Sequence, residues 1–205
     1  MRPPMLSHDE RGVTAVEFGL ITPLMCLIMM GILDIGHTAY VASQAQGVLQ
    51  SAARQATIGN KTGAEIDTFV LNKIRPLVTR GTCPGANCPI KIEKKSYSDY
   101  TGVKKAEKIV TDTVPLGTYN AKTATQAGDC HEDVNGNGRW DQDRGRDGLG
   151  GADDVVRYEV TIRYNRLLPV AGLFGWSQQQ EVKVNTLLKN QPYAAQVKQS
   201  QVICA

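Results

Sequence analysis

FGLITPLMCLIMMGIL, residues 18–33, is the most apolar stretch of this 205-residue chain, and none of its sixteen side chains is charged. Extending it to residues 13–36 adds only two acids, Glu17 and Asp34. A helix of that length is about 36 Å long, enough to cross a hydrocarbon core of about 30 Å. A surface helix of a soluble protein keeps a polar face, which this stretch lacks. We therefore predict a single transmembrane helix over residues 13–36.

A cleaved secretory signal peptide is the alternative to a permanent membrane helix. Signal peptidase needs small residues in an A-x-A-like pattern just after the apolar run, and residues 33–37 (LDIGH) do not supply them. The first acceptable pair, Ser43 and Ala45, lies about ten residues too far along the chain for such a site. Glu17 also disfavours a signal peptide, because a carboxylate within the bilayer costs about 2.5–3.5 kcal/mol on insertion scales.

The residues before the apolar run resemble the signature of type IV prepilins. In that signature a short polar leader ends in Gly, cleavage follows the Gly, and Glu is the fifth residue of the mature chain. Here Gly12 would end the leader, Val13 would be the first mature residue and Glu17 the fifth. Cleavage would free the Val13 α-amino group, which in a filament could neutralise the Glu17 carboxylate of a neighbouring subunit. Such a buried pair selects one packing register even when its net stabilisation is small.

A wider resemblance runs from Arg11 to Gln55. Its elements are the RGVTAVEF start, Pro23 within the span, the DIGHTAY exit from Asp34 to Tyr40, and the Gln- and Ala-rich helix that follows. This stretch resembles the TadE-like family of tight-adherence pilus systems, whose members are bitopic pseudopilins or minor pilins of bacterial type IVb assembly machines. The resemblance implies a structural role in pilus assembly. It also implies the partners: a prepilin peptidase, other pilins or pseudopilins, the inner-membrane assembly platform and membrane lipid.

Charge predicts the orientation of the span. The leader, residues 1–12, contains Arg2 and Arg11, and short basic flanks stay in the cytoplasm. The rest of the chain then lies on the periplasmic side of a bacterial inner membrane, or outside the cell in a pilus. We expect a helical stalk and second helix over residues 37–80 and an α+β domain with an antiparallel sheet over 81–205. A net charge of +3 is not the dense basic stripe of a nucleic-acid-binding protein.

Hydrophobic periodicity predicts the secondary structure after the span. A helical period continues the membrane helix to about residue 58. Thr62 and Glu65 form a capping box that begins a second helix. Alternation of apolar and polar residues predicts three strands, at Ile90–Ile92, Val156–Tyr164 and Glu181–Leu187.

The segment between the last two strands, Leu167–Trp176 (LLPVAGLFGW), is predicted to form an apolar hairpin tip. Two interpretations of this tip stay open. It packs in the domain core, or it contacts the membrane surface or another pilin, because exposed apolar patches mark interfaces.

The cysteines agree with an exported domain. Four lie after the span, and an even number in an oxidising compartment predicts two disulfides. Three pairings are open, of which we favour Cys83 with Cys88 and Cys130 with Cys204. A zinc site built from Cys83, Cys88, Cys130 and His131 is the alternative. The fifth cysteine, in the span, acts as a small apolar residue.

The loop over residues 133–141, DVNGNGRWD, matches the first half of an EF-hand calcium loop, with oxygen side chains at positions 1, 3, 5 and 9 and Gly at position 6. We predict one structural Ca²⁺. Its expected ligands are the side chains of Asp133, Asn135, Asn137 and Asp141 and the carbonyl of Arg139.

The second half of that motif departs from the pattern. Arg144 stands at position 12, where an EF-hand has a bidentate Glu. The missing ligand could come from one of four nearby acids: Asp143, Asp147, Asp153 or Asp154. A Gly- and Asn-rich turn without metal is the alternative. The motif also has a degenerate echo twenty-one residues earlier, where Asp112, Gly117, Tyr119 and Asn120 repeat the offsets of Asp133, Gly138, Trp140 and Asp141.

No catalytic constellation is visible in the sequence. There is no Gly-rich phosphate loop, and the adjacent Cys130 and His131 would face opposite sides of a strand. We therefore expect a structural protein and not an enzyme. The rival interpretation is a membrane-tethered periplasmic binding or adhesion module that no prepilin peptidase processes. Glu17 separates the two, because a simple tether has no use for an acid within its span.

Overall fold

The apolar N-terminal stretch forms the first half of one long helix, α1, which runs from Arg11 to Thr57. The computed structural model describes residues 11–57, 62–78, 89–125, 127–168, 170–191, 196 and 200–204. Most of the predicted leader therefore lies outside the described residues. The predicted continuation of the membrane helix into the body of the protein is confirmed.

Helix α1 has two halves with different surroundings. Nearly all side chains from Val13 to Leu33 are exposed in the isolated chain, although most are large and apolar. Beyond Asp34, one face of the helix is buried, at Val41, Ala45, Leu49 and Ala52. These positions recur at helical spacing, so a single stripe faces the domain. No described part of the chain covers the first half.

The remaining elements follow in chain order. Helix α2 is Gly63–Val78, and the strands are β1 Ile90–Tyr97, β2 Ile109–Thr111, β3 Cys130–Asp133, β4 Arg146–Asp147 and β5 Val155–Asn165. A single helical turn, α3 Val170–Leu173, separates β5 from β6 Gln179–Lys189, and β7 is Gln201–Cys204. Strands pair antiparallel in two sheets, a main sheet ordered β4-β1-β5-β6 and a small sheet ordered β2-β3-β7. The predicted α+β class is confirmed.

Helix α2 begins at the predicted capping box and buries one apolar face. The Thr62 amide donates to Glu65 Oε2 at 2.7 Å, and the Glu65 amide donates to Thr62 Oγ1 at 3.4 Å. Each side chain thus satisfies a backbone donor of the first helical turn. Three apolar residues of α2 are fully buried: Ile66, Val70 and Ile74.

The core lies between the two helices and one face of the main sheet. Helix α1 packs on β6 and α2, and α2 packs on β1. One polar bridge crosses this core, because the Tyr158 hydroxyl donates to Asp67 Oδ1 at 2.7 Å and Lys94 Nζ lies 2.6 Å from Asp67 Oδ2. Burial and the neighbouring carboxylate raise the pKa of Tyr158 far above its usual value. The hydroxyl therefore remains a hydrogen-bond donor at any physiological pH.

The hairpin tip is not part of this core. Leu167, Leu173, Phe174 and Trp176 are each more than 60% exposed. The core-packing interpretation is wrong for these side chains, because the tip extends beyond the last core layer of β5 and β6. Within α3, only the small Ala171 is buried among the side chains that the structure describes.

Candidate functional site

The predicted processing site lies in the first turn of α1. Gly12 and Val13 are helical and exposed. Adding a Cβ at Gly12 meets no described atom within 4 Å.

Glu17 lies one turn further along, on the bare half of α1. Its side chain is exposed, and among the described residues it takes part in no ion pair within the chain. Placed in lipid, this carboxylate has no partner for its charge among the side chains that the structure describes. A group that neutralises it, or a position near the membrane surface, would lower the cost of its burial.

A polar cluster marks the point where α1 enters the domain. Arg166 Nη1 lies 2.5 Å from Asp34 Oδ2, and both side chains are largely buried. The Tyr164 hydroxyl donates to Thr38 Oγ1 at 3.2 Å, and its ring meets His37 edge-on at 5.5 Å between centroids. These contacts attach the C-terminal end of β5, where the β5–β6 hairpin turns, to α1 just after the apolar run of the helix.

The loop at 133–141 brings its predicted ligands together. The Asp133 carboxylate accepts hydrogen bonds from the Gly136 and Gly138 amides at 2.6 and 2.8 Å. The side-chain amides of Asn135 and Asn137 both donate to Asp141 Oδ2, at 2.7 and 2.5 Å. A cation would replace these two donors at Asp141, which requires both amides to turn their oxygens inward.

Three of the four acids proposed for the twelfth loop position, Asp143, Asp153 and Asp154, are engaged elsewhere. Asp143 accepts a hydrogen bond from the Tyr97 hydroxyl at 2.8 Å. Asp154 pairs with Arg146 at 3.1 Å, and Asp153 with Lys189 at 2.7 Å. Among the described residues, no three His, Cys, Asp or Glu side chains converge as metal ligands would. Calcium at this loop stays a prediction.

Glu107 is a residue that sequence patterns did not reveal. Its carboxylate is completely buried and accepts hydrogen bonds from the amides of Val134 and Asp141, at 3.0 and 3.1 Å. Those two amides are at the two ends of the loop. His131 Nε2 lies 3.9 Å from the same carboxylate. Glu107 therefore joins the two ends of the 133–141 loop through hydrogen bonds to its carboxylate.

The sequence echo has a structural counterpart. The Gly117 amide donates to Asp112 Oδ2 at 2.8 Å, the same bond that Gly138 makes to Asp133. Both glycines have positive φ, 84° and 76°, a conformation that favours glycine. The aromatic residues two positions later, Tyr119 and Trp140, stack with centroids 5.0 Å apart and planes 5° apart. The two loops thus pack against each other through equivalent positions.

The earlier loop is held by the Asn120 side-chain amide, which donates to the carbonyls of Thr113, Pro115 and Thr118, and by the carboxylate of Asp129. This buried carboxylate accepts hydrogen bonds from the amide and hydroxyl of Thr113 and from the amide and side chain of Asn120. Burial raises the pKa of Asp129, but these four hydrogen bonds to the charged form outweigh it and leave the pKa below its usual value.

The small sheet is closed covalently. Cys130 and Cys204, which face each other on β3 and β7, form a disulfide. With Cys130 in that bond, the zinc alternative loses one of its thiolates. The other proposed pair, Cys83 and Cys88, lies outside the described residues. Cys26 is a free thiol on the apolar half of α1.

The helix and domain together define the class of protein, a small α+β domain on a helix that suits a membrane anchor by length and composition. Residues 12–56 match the family model described as TadE-like protein. The match covers about a fifth of the chain and lies within α1. No curated protein and no solved structure matches the chain. The family resemblance predicted from the motifs is confirmed for this segment.

Proposed function

We propose that this chain is a structural pseudopilin or minor pilin that takes part in assembly of a tight-adherence type IVb pilus. The observation that carries the proposal is the exposed apolar half of α1, which matches the TadE-like model and contains Glu17, an acid with no ion-pair partner among the described residues. A helix of this kind first anchors the subunit in the membrane. During assembly, the same apolar surface packs against the helices of neighbouring subunits.

Glu17 gives that second step its selectivity. After cleavage at Gly12, the new α-amino group at Val13 is a cation four residues from the carboxylate. Within one helix the two groups are on nearby faces, but an adjacent subunit shifted along the axis can bring its own cation to Glu17. Only one such shift pairs every charge, so mispositioned subunits leave an uncompensated charge in an apolar bundle.

The proposed location is a bacterial inner membrane, with the N-terminus in the cytoplasm and the domain in the periplasm. Arg2 and Arg11 support this orientation through the positive-inside rule. The Cys130–Cys204 disulfide supports an oxidising compartment for the domain. The partners would be the prepilin peptidase, other pilins or pseudopilins, and the membrane assembly platform.

The test of this function is where the protein goes in cells that make the pilus. Sheared filaments and washed membranes would be probed with an antibody against the domain. A pilin role predicts the mature chain in filaments or in a membrane complex that co-purifies with other pilins. The rival, an unprocessed periplasmic binding or adhesion module, predicts an intact leader and no pilin in the purified material.

We also propose a weak structural Ca²⁺ at the 133–141 loop, supported by the convergence of Asn135 and Asn137 on Asp141. Two neutral amides and Arg144 in place of Glu should limit the affinity to about 10⁻⁴–10⁻³ M. A native-state ligand at 100 times its dissociation constant stabilises by about 2.7 kcal/mol.

Thermal unfolding of the full chain in detergent, with calcium and with chelator, tests this site. Calcium should raise the midpoint for the wild type, and Asn137→Ala should abolish the rise, because it removes one ligand from an exposed position. Asp112→Ala is the matched control, since it alters the echo loop, where Val114 and Leu116 stand in place of Asn135 and Asn137, and should leave the calcium response intact. Equal midpoints at tens of millimolar calcium would mean that the loop is only a turn.

A further inference from the structure

The tip of the β5–β6 hairpin is an apolar feature of the domain that the described core does not use. Between Arg166 and Glu181 the chain reads LLPVAGLFGWSQQQ, fourteen residues without a charge. Four large side chains on this tip are 62–70% exposed: Leu167, Leu173, Phe174 and Trp176. Other exposed apolar residues of the domain, such as Val110 and Val202, belong to the small sheet and not to the β5–β6 hairpin.

The tip lies beside the membrane-facing half of α1. The C-terminal end of β5 and the residue after it reach α1, because Tyr164 contacts Thr38 and Arg166 contacts Asp34. Asp34 is the first charged residue after the sixteen-residue apolar run. The tip begins just past Arg166, and α3 within it contacts α1. A tip in this position starts where the lipid-facing surface of the helix ends.

The backbone of the tip is suited to an apolar environment. The Phe174 amide donates to the Ala171 carbonyl at 3.2 Å, and the Trp176 amide donates to the same carbonyl at 2.9 Å. The Gly175 amide donates to Gly172 at 3.2 Å, which leaves these three amides without a need for water. Unsatisfied backbone groups are the main cost of placing irregular chain in a membrane, and these three amides do not add to that cost.

From these contacts we propose that the tip inserts into the interfacial layer of the membrane that α1 spans, as a second, shallow anchor. Phe174 and Trp176, whose ring centroids lie 5.8 Å apart, are the aromatic types that favour the membrane–water interface. The Asp34–Arg166 pair fixes the depth, because it ties the charged base of the tip to the end of the apolar helix. Lipid is favoured over a second copy of the chain because the tip adjoins a helix surface that itself needs lipid.

This proposal depends on the membrane span and not on the pilin role, so each can fail alone. The test uses the full chain in single-copy nanodiscs of phosphatidylcholine whose acyl chains bear bromine near the headgroup. The chain has two tryptophans, and Trp140 is stacked on Tyr119 within the domain. Trp176→Phe is safe for folding because the side chain is exposed. Brominated lipid should quench the wild-type fluorescence, and the quenching should be lost in Trp176→Phe.

Two further measurements make the assignment specific. Trp140→Phe isolates the emission of Trp176. In nanodiscs this emission should lie at a shorter wavelength than that of a control peptide in detergent-free buffer, and aqueous iodide should fail to quench it. Leu173→Ser with Phe174→Ser should restore iodide quenching, whereas Val110→Ser, an exposed position elsewhere on the domain, should not. Equal bromolipid quenching in wild type and Trp176→Phe would overturn the proposal. Shielding of Trp176 from iodide that occurs only in vesicles crowded with protein would assign the tip to a second copy instead.

Discussion

Gly12→Val should leave the chain uncleaved and twelve residues longer than the mature protein, with Met1 or residue 2 as its N-terminus. A peptidase that recognises the bond after Gly needs close approach to a backbone without a side chain. The substitution has room in the subunit itself, because a Cβ at Gly12 meets no described atom within 4 Å. Gly19→Val is the matched control, since Gly19 is also helical and free of neighbours. It should be processed normally.

Mass spectrometry of the membrane-bound protein measures both outcomes. Val13 as the wild-type N-terminus, lost in Gly12→Val and kept in Gly19→Val, is the expected pattern. Glu17→Ala should still be cleaved but should assemble poorly, because the α-amino group of its neighbour then has no counter-charge. Finding the intact leader on the wild-type chain in pilus-forming cells would contradict the processing proposal and favour the tether.

Cys204→Ser should lower the free energy of unfolding by about 4.5 kcal/mol, the chain-entropy value for a loop of this size. The bond joins residues 74 positions apart, and it restricts the unfolded chain far more than a short loop would. The strand it holds is also weakly attached otherwise, since β7 pairs only with β3 among the described strands. The midpoint of chemical unfolding of the full chain in detergent, with and without reductant, measures the loss.

Cys26→Ser is the control for loss of a thiol. Cys26 is unpaired and lies on the apolar half of α1, so its substitution should not change the unfolding midpoint of the domain. Reduction of the wild type should reproduce the Cys204→Ser midpoint, unless a second disulfide forms at Cys83 and Cys88. If Cys204→Ser has the same unfolding midpoint as the oxidised wild type, the Cys130–Cys204 disulfide does not stabilise the protein by restricting its unfolded chain.

The parts of the fold that the sequence predicted are those with strong local periodicity. Helix α1, the capping box at Thr62 and strands β5 and β6 follow from spacing that repeats over many residues. The small sheet was not predicted, because its strands are three or four residues long and pair across large sequence separations. So short a strand has no period to detect.

The candidate sites show the same division. The Asp133–Asp141 loop is a local motif, and its residues do meet in space. Glu107 and Asp129 could not be found from spacing, because the groups that donate hydrogen bonds to each carboxylate come from other segments of the chain. The exposure of the hairpin tip also depends on tertiary position. Only the contacts at Asp34 and Thr38 show that the hairpin extends toward the membrane side of α1.

The unbroken path of α1 from lipid into the core has a mechanical consequence. Because no linker separates the apolar half of α1 from the half packed in the domain, the domain cannot rotate freely about the helix axis. Its rotation angle relative to Glu17 is set by the number of helical residues between them. From Glu17 to Val41 the helix advances about 36 Å, and each inserted residue would rotate the domain by about 100° relative to Glu17. In an assembly whose order is fixed by contacts between helices, every domain would then present the same side outward, and torque on one domain would pass directly into the packed helices.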